Sequence, residues 1–169
     1  MPSMRSNLPF LLLLLPGCTD VQLPAAAATS LNPISFFTGN SRGDGSLRHV
    51  LGRTRAIKVD SAGRPQPGGA LLLTQRITEE GKAPRTREWL MRPAGPGRYT
   101  GTLTDAVGPV EITVEGPRAE VRYSMKKGLK VRQELALQPD GLTILNRLEV
   151  YKLGVRVAWL DETIRKERR

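Results

Sequence analysis

The chain is poor in the residues that most active sites use. Its 169 residues include one cysteine, Cys18, and one histidine, His49. A zinc site of Cys and His ligands, or a Cys/His nucleophilic pair, has too few members here. Aromatic residues make up 5% of the chain, so a core must be mostly aliphatic, and the stacking surfaces that grip unpaired nucleic acid are scarce. Long apolar runs are missing too: Leu8 to Leu15 falls far short of the ~20 residues that span a bilayer.

Catalytic motifs are equally thin. Gly39-Asn40-Ser41-Arg42-Gly43 fits the spacing of a nucleophile elbow, but that turn needs a following helix and a histidine late in the chain. Gly95-x-Gly97 lacks the third glycine of a phosphate-cradling loop. Glu79-Glu80 and Asp161-Glu162 are adjacent carboxylates, and neighbours on a strand point to opposite faces. No enzyme, cofactor or metal is expected.

What the chain has in quantity is positive charge and turn residues. Lys and Arg number 26 against 16 Asp and Glu, a net +10. These cations are scattered along every segment and suggest a solvated basic surface facing a membrane, without a nucleic-acid partner; the sequence names no protein partner. Seventeen glycines and thirteen prolines point to many turns and few long helices.

The N-terminal segment gives an address. One cation, Arg5, precedes the short apolar run, and Leu15-Pro16-Gly17-Cys18 then resembles a bacterial lipobox, with Pro16 where a small or aliphatic residue is usual. This predicts a lipoprotein signal peptide over 1–17, lipidation at Cys18, and attachment to a membrane through that anchor. Thr19, not an aspartate, follows the cysteine, which by resemblance to Gram-negative lipoproteins implies the outer membrane, facing the periplasm. Residues 18–30, with four successive alanines, read as a flexible tether. The domain proper is 31–169, ending in a short basic tail.

From Leu31 onward the dominant signal is alternation with period two, the mark of half-buried strands. Ala119, Val121, Tyr123 and Met125 share one face; so do Val131 and Leu135, Ile144 and Leu148, and Val155, Val157 and Trp159. Turn signals separate the segments, as at Gly116-Pro117 and Pro139-Asp140-Gly141. Short strands joined by tight turns exclude a parallel sheet. The prediction is an all-β antiparallel up-and-down barrel of about eight to ten strands, with a sandwich as the alternative.

Several motifs together resemble the domain of unknown function 3833 family of Gram-negative lipoproteins. They are Phe36-Phe37-Thr38-Gly39 with Gly43-x-Gly45, Arg87-Glu88-Trp89, Tyr99-Thr100-Gly101, Asp105-x-x-Gly108, Tyr123, Leu145-Asn146-Arg147 and Lys152-Leu153-Gly154-Val155. The resemblance implies a lipid-anchored, lipocalin-like barrel. Gln75 stands where an acidic residue is expected, and Ile164 where an aromatic is.

Polar residues interrupt the apolar phase at Gln75, Arg87, Gln133, Asn146 and Asp161. If the strands keep register, these face inward beside Trp89, Tyr123 and Trp159. Two readings stay open. One is a buried network, Arg87 with Asp161 and the amides, that fixes the register of closure. The other is a cavity for a small amphipathic or hydrophobic ligand, with Leu73, Val131 and Leu148 as apolar wall.

Overall fold

In the computed structural model, which describes residues 30–168, ten strands form one closed barrel. The expected signal peptide (1–17), Cys18 and all of the expected tether but Ser30 lie outside the described residues. A single helical turn, α1 (Pro33–Phe37), comes first. The strands are β1 (Gly39–His49), β2 (Arg55–Gln66), β3 (Ala70–Glu79), β4 (Arg85–Pro93), β5 (Arg98–Leu103), β6 (Ala106–Glu115), β7 (Arg118–Met125), β8 (Leu129–Leu137), β9 (Thr143–Lys152) and β10 (Val155–Lys166). Each pairs antiparallel with its sequence neighbours, and β1 closes on β10 from Ser41↔Lys166 to His49↔Ala158. Closure leaves no strand edge unpaired along the seam.

Alternation dictates the two surfaces. Inward positions such as Leu71, Val110, Val121 and Ile144 are buried and form one aliphatic core. Outward positions carry Asp44, Lys58, Arg76, Glu88, Glu120, Arg132 and Arg147 across the middle of the strands. A membrane-spanning barrel has an apolar band there, so the charged girdle is that of a barrel standing in water.

The helical turn α1 is a departure from the strand reading. Asn32 caps it, its Oδ1 accepting from the Ser35 amide at 3.0 Å, and Pro33 supplies a preset first turn. Phe36 and Phe37 pack edge to face and are buried at one end of the barrel. The Leu31 amide donates to the Gly116 carbonyl at 2.8 Å, and Lys166 Nζ donates to the Ser35 carbonyl at 2.7 Å. The segment thus plugs that end. At Gly63 a Cβ would sit 1.8 Å from the Phe37 carbonyl oxygen, so the plug seats only where β2 has no side chain.

β10 also departs from a simple alternation. Its register against β9 slips between Arg156, opposite Tyr151, and Ala158, opposite Val150. Val157 is the extra residue of a β-bulge, which flips every later side chain to the other face. The strand continues two residues past Ile164, to Lys166.

Gly63→Ala is expected to lower unfolding stability by ~1–3 kcal/mol, the range for overpacking against a group that cannot turn aside; chemical denaturation checks this, and an unchanged midpoint would contradict the seating of α1.

Candidate functional site

Register places four polar residues side by side on the inner face. Ser41 on β1 pairs with Ser61 on β2, Ser61 with Gln75 on β3, and Gln75 with Arg87 on β4. Gln75 is the hub. Its Nε2 donates to Ser61 Oγ at 3.1 Å, while Arg87 Nε and Trp89 Nε1 both donate to its Oε1, at 2.8 and 2.9 Å. The guanidinium also lies 5.5 Å from the Trp89 ring centre, and Trp89 meets Tyr123 edge to face at 5.9 Å.

An amide at the hub has an electrostatic consequence. A carboxylate at position 75 would neutralise Arg87; Gln75 offers a dipole only. No carboxylate among the described residues comes within ion-pair distance of Arg87. Burial holds its guanidinium below the usual range, partly offset by the surrounding Tyr123, Asp105 and Glu162, with Arg85 adding to the depression. Arginine stays charged through such a shift. Tyr123 in turn is pushed up by burial and pulled back by Arg87.

A second cluster sits on the β9–β10 side. Asn146 pairs with Glu162 across the ladder, and its Nδ2 donates to Glu162 Oε2 at 2.7 Å. Glu162 is only 8% exposed. It fits because β1 is bare opposite it: a Cβ on Gly43 would lie 1.8 Å from Glu162 Oε1, and one on Gly45 would strike the β10 backbone. Burial pushes the Glu162 carboxyl above its ordinary value; the Asn146 hydrogen bond and Arg87 pull the other way, and Asp44 adds to the rise.

The two clusters flank an enclosed space of about 40 Å³, with Gln75, Arg87, Gln133, Asn146 and Glu162 on its wall and Phe37 of α1 among its apolar lining. Among the described residues, two buried acceptors there, Gln133 Oε1 and Asn146 Oδ1, have no partner, and neither does Ser41 Oγ in the core. Buried polar atoms almost always find a partner, so this interior keeps unused hydrogen-bonding capacity beside a positive and a negative group. Among the described residues no three His, Cys, Asp or Glu side chains converge as metal ligands would.

Of the residues the sequence singles out, Gln75, Arg87, Trp89, Tyr123, Gln133 and Asn146 do point inward. Trp159 and Asp161 do not. The bulge at Val157 turns them outward, where Arg156 lies over the Trp159 ring at 4.6 Å and Asp161 accepts from Arg147 at 2.8 Å. The inward carboxylate is Glu162, and the expected pairing of Arg87 with Asp161 is not formed. Leu160 and Ile164, two and six residues after Ala158, carried the signal of the phase change. Ser41 lies within β1 with no helix after it, and His49 is exposed at the strand's end, so the elbow geometry is not built.

A larger concavity lies elsewhere. A groove of about 930 Å³ crosses the outside of β6–β10 and β1, lined by charged side chains that include Glu120, Arg122, Arg147 and Asp161. Those four already pair with one another, Arg122 with Glu120 and Arg147 with Asp161. Exposed pairs of this kind are solvated and hold one another weakly; the buried acceptors without a partner among the described residues face the interior.

Ten antiparallel strands around a half-polar interior define a lipocalin-like up-and-down barrel. Similar solved structures are the S-type phycobiliprotein lyase CPES from Guillardia theta (TM-score 0.64, 6% identity, covering 80% of this chain and 91% of that one) and Rv2717c from M. tuberculosis (0.61, 15%, 82% and 99%). A protein of unknown function from the DUF3598 family of Nostoc punctiforme matches at 0.64 and 14% identity over 87% of this chain but 53% of its own, so this chain spans about half of it. At such identities the likeness is one of fold. No curated protein matches the sequence. The chain belongs to the DUF3833 family of proteins of unknown function, whose model matches residues 12–166.

Glu162 makes a pH prediction. A carboxyl whose native pKa is raised is protonated in both states at low pH, where its contribution to stability is fully present. As pH rises through the ordinary carboxylate range and the raised native value, the unfolded chain releases its proton first and the native state loses stability. Glu162→Gln removes the titration. The melting temperature of the variant minus that of the wild type is expected to grow from acid to neutral pH; a flat difference would contradict the burial.

Proposed function

We propose that this protein is a non-enzymatic binding protein, anchored by lipid at Cys18 in the cell envelope, that holds the polar head of a small amphipathic molecule inside the barrel. The observation that carries the reading is the pair of unpartnered buried acceptors, Gln133 Oε1 and Asn146 Oδ1, beside Arg87 and Glu162, which face the same space without forming an ion pair. A purely structural interior of this composition would join its two opposite charges. Unpaired acceptors call for hydroxyl or amide donors, and an uncompensated guanidinium calls for an acidic group. The lipobox-like Leu15-Pro16-Gly17-Cys18 supports the anchor, and Thr19 after the cysteine supports an outer-membrane address facing the periplasm.

Volume restricts the ligand. The space of about 40 Å³ holds three or four waters at ~10–15 Å³ each, whereas pockets for drug-sized ligands run to ~300–1,000 Å³. An acyl chain does not fit beneath a seated α1. In this reading the head alone occupies the polar centre, and the apolar remainder takes the place of Phe37 when α1 lifts.

Anilinonaphthalene sulfonate, an amphipathic anion, tests this. Phe37→Ala is expected to raise its fluorescence-detected affinity, and adding Arg87→Met to that variant to reduce it at least tenfold while the barrel stays folded by circular dichroism. Equal affinity with and without Arg87 would count against the site.

A further inference from the structure

The end of the barrel opposite α1 is unlike the rest of its surface. Three hairpin tips adjoin there, because β1 neighbours β10 and β9 neighbours β8. They are the β1–β2 tip, the β9–β10 tip and the β7–β8 tip. The Val50 amide donates to the Val157 carbonyl, and Leu129 stands opposite Lys152. Of the large apolar side chains left exposed, Val50, Leu51, Leu153 and Val155 all belong to this arc, Leu51 at 99% and Leu153 at 94% exposure.

Charge follows the same arc. Segments 48–54, 125–130 and 150–156 together hold seven Lys and Arg and no Asp or Glu. They are Arg48, Arg53, Lys126, Lys127, Lys130, Lys152 and Arg156. Among the described residues only Arg156 of these has an ion pair, with Glu149. The two remaining tips at this end carry acids, Glu79 and Glu80 on one and Asp105 on the other, so the basic apolar surface is one-sided.

Backbone geometry adds a third observation. Leu153 sits at φ 50 and Lys127 at φ 62, the left-handed region that glycine or asparagine occupies at lower cost. Neither side chain recovers that cost by packing, since both are exposed. Behind the tips, Tyr151 and Trp159 face outward and are half-buried, amphipathic rings of the kind that settle at lipid headgroup level.

We propose that this arc docks on an anionic lipid bilayer, with Leu51 and Leu153 entering the interface and the surrounding cations meeting headgroups. Apolar tips alone would suit any hydrophobic surface. The cations around them, six of the seven without an ion pair among the described residues, select one that is anionic and extended, and buried apolar area together with polybasic attraction is how peripheral proteins hold a bilayer. The occupant is independent of the barrel interior.

The test uses the full chain carrying Cys18→Ala, so that no acyl group contributes, with vesicles of phosphatidylcholine with or without phosphatidylglycerol. A fluorophore on Leu153→Cys is expected to shift to the blue only with phosphatidylglycerol present and to revert in high salt. The same label on Arg92→Cys, at the α1 end, should not respond. Adding Leu51→Glu and Lys127→Glu to the Leu153→Cys chain should weaken the response at least tenfold without changing the melting temperature, because both side chains are exposed. A blue shift of equal size at both ends, or in neutral vesicles, would overturn the proposal. No response at Leu153→Cys would overturn it too and leave the arc as a surface for an acidic protein.

Discussion

The seam between β1 and β10 is the constraint on which the rest of the barrel depends. Ten strands in a meander have two free edges, and the fold exists only where those edges meet. At the seam β1 offers Gly43 and Gly45 on its inner face, and β10 lays Glu162 across them; any side chain on Gly43 would collide with that carboxylate. Parity is the second half of the constraint. Without the extra residue at Val157, β10 would present Trp159 and Asp161 to the interior. Trp159 would then take the place of Leu160, opposite Leu47, and Asp161 that of Glu162, opposite Gly45.

Closure brings together groups from opposite ends of the sequence. Ser41, Ser61, Gln75 and Arg87 form one half of the polar interior, and Gln133, Asn146 and Glu162 the other. The halves differ in how completely they are satisfied. Gln75 uses both its donor and its acceptor, so its amide is fixed in orientation. Asn146 uses its donor only, and the Gln133 carbonyl has no partner. Hydrogen bonds in a low-dielectric interior are strong when made and costly when left unmade. The unfinished half is therefore where a guest gains most.

Much of this was legible in the sequence. Period-two alternation over Ala119–Met125, Val131–Leu135 and Ile144–Leu148, with a turn signal between each, carries the barrel because one face must be buried and the other solvated. The inward polar residues from Gln75 to Asn146 were visible as breaks in the apolar phase. What was not legible has a common cause. A bulge leaves no mark of its own: Val155, Val157 and Trp159 continue the alternation that the backbone breaks, so Asp161 looked inward and Glu162 outward. The turn α1 was hidden because five residues show no helical period, although Asn32 before Pro33 is a capping pair. The exposed leucines at 51 and 153 could be placed together only once the strand order was known.

The central claim is that the polar interior is built to be occupied. A high-resolution crystal structure of protein purified from its native cells addresses it most directly. The account predicts ordered density within hydrogen-bonding distance of Gln133 Oε1, Asn146 Oδ1 and the Arg87 guanidinium, with α1 displaced if that density extends beyond the closed space of about 40 Å³. An interior without density, in which Arg87 swings across to pair directly with Glu162, would contradict it.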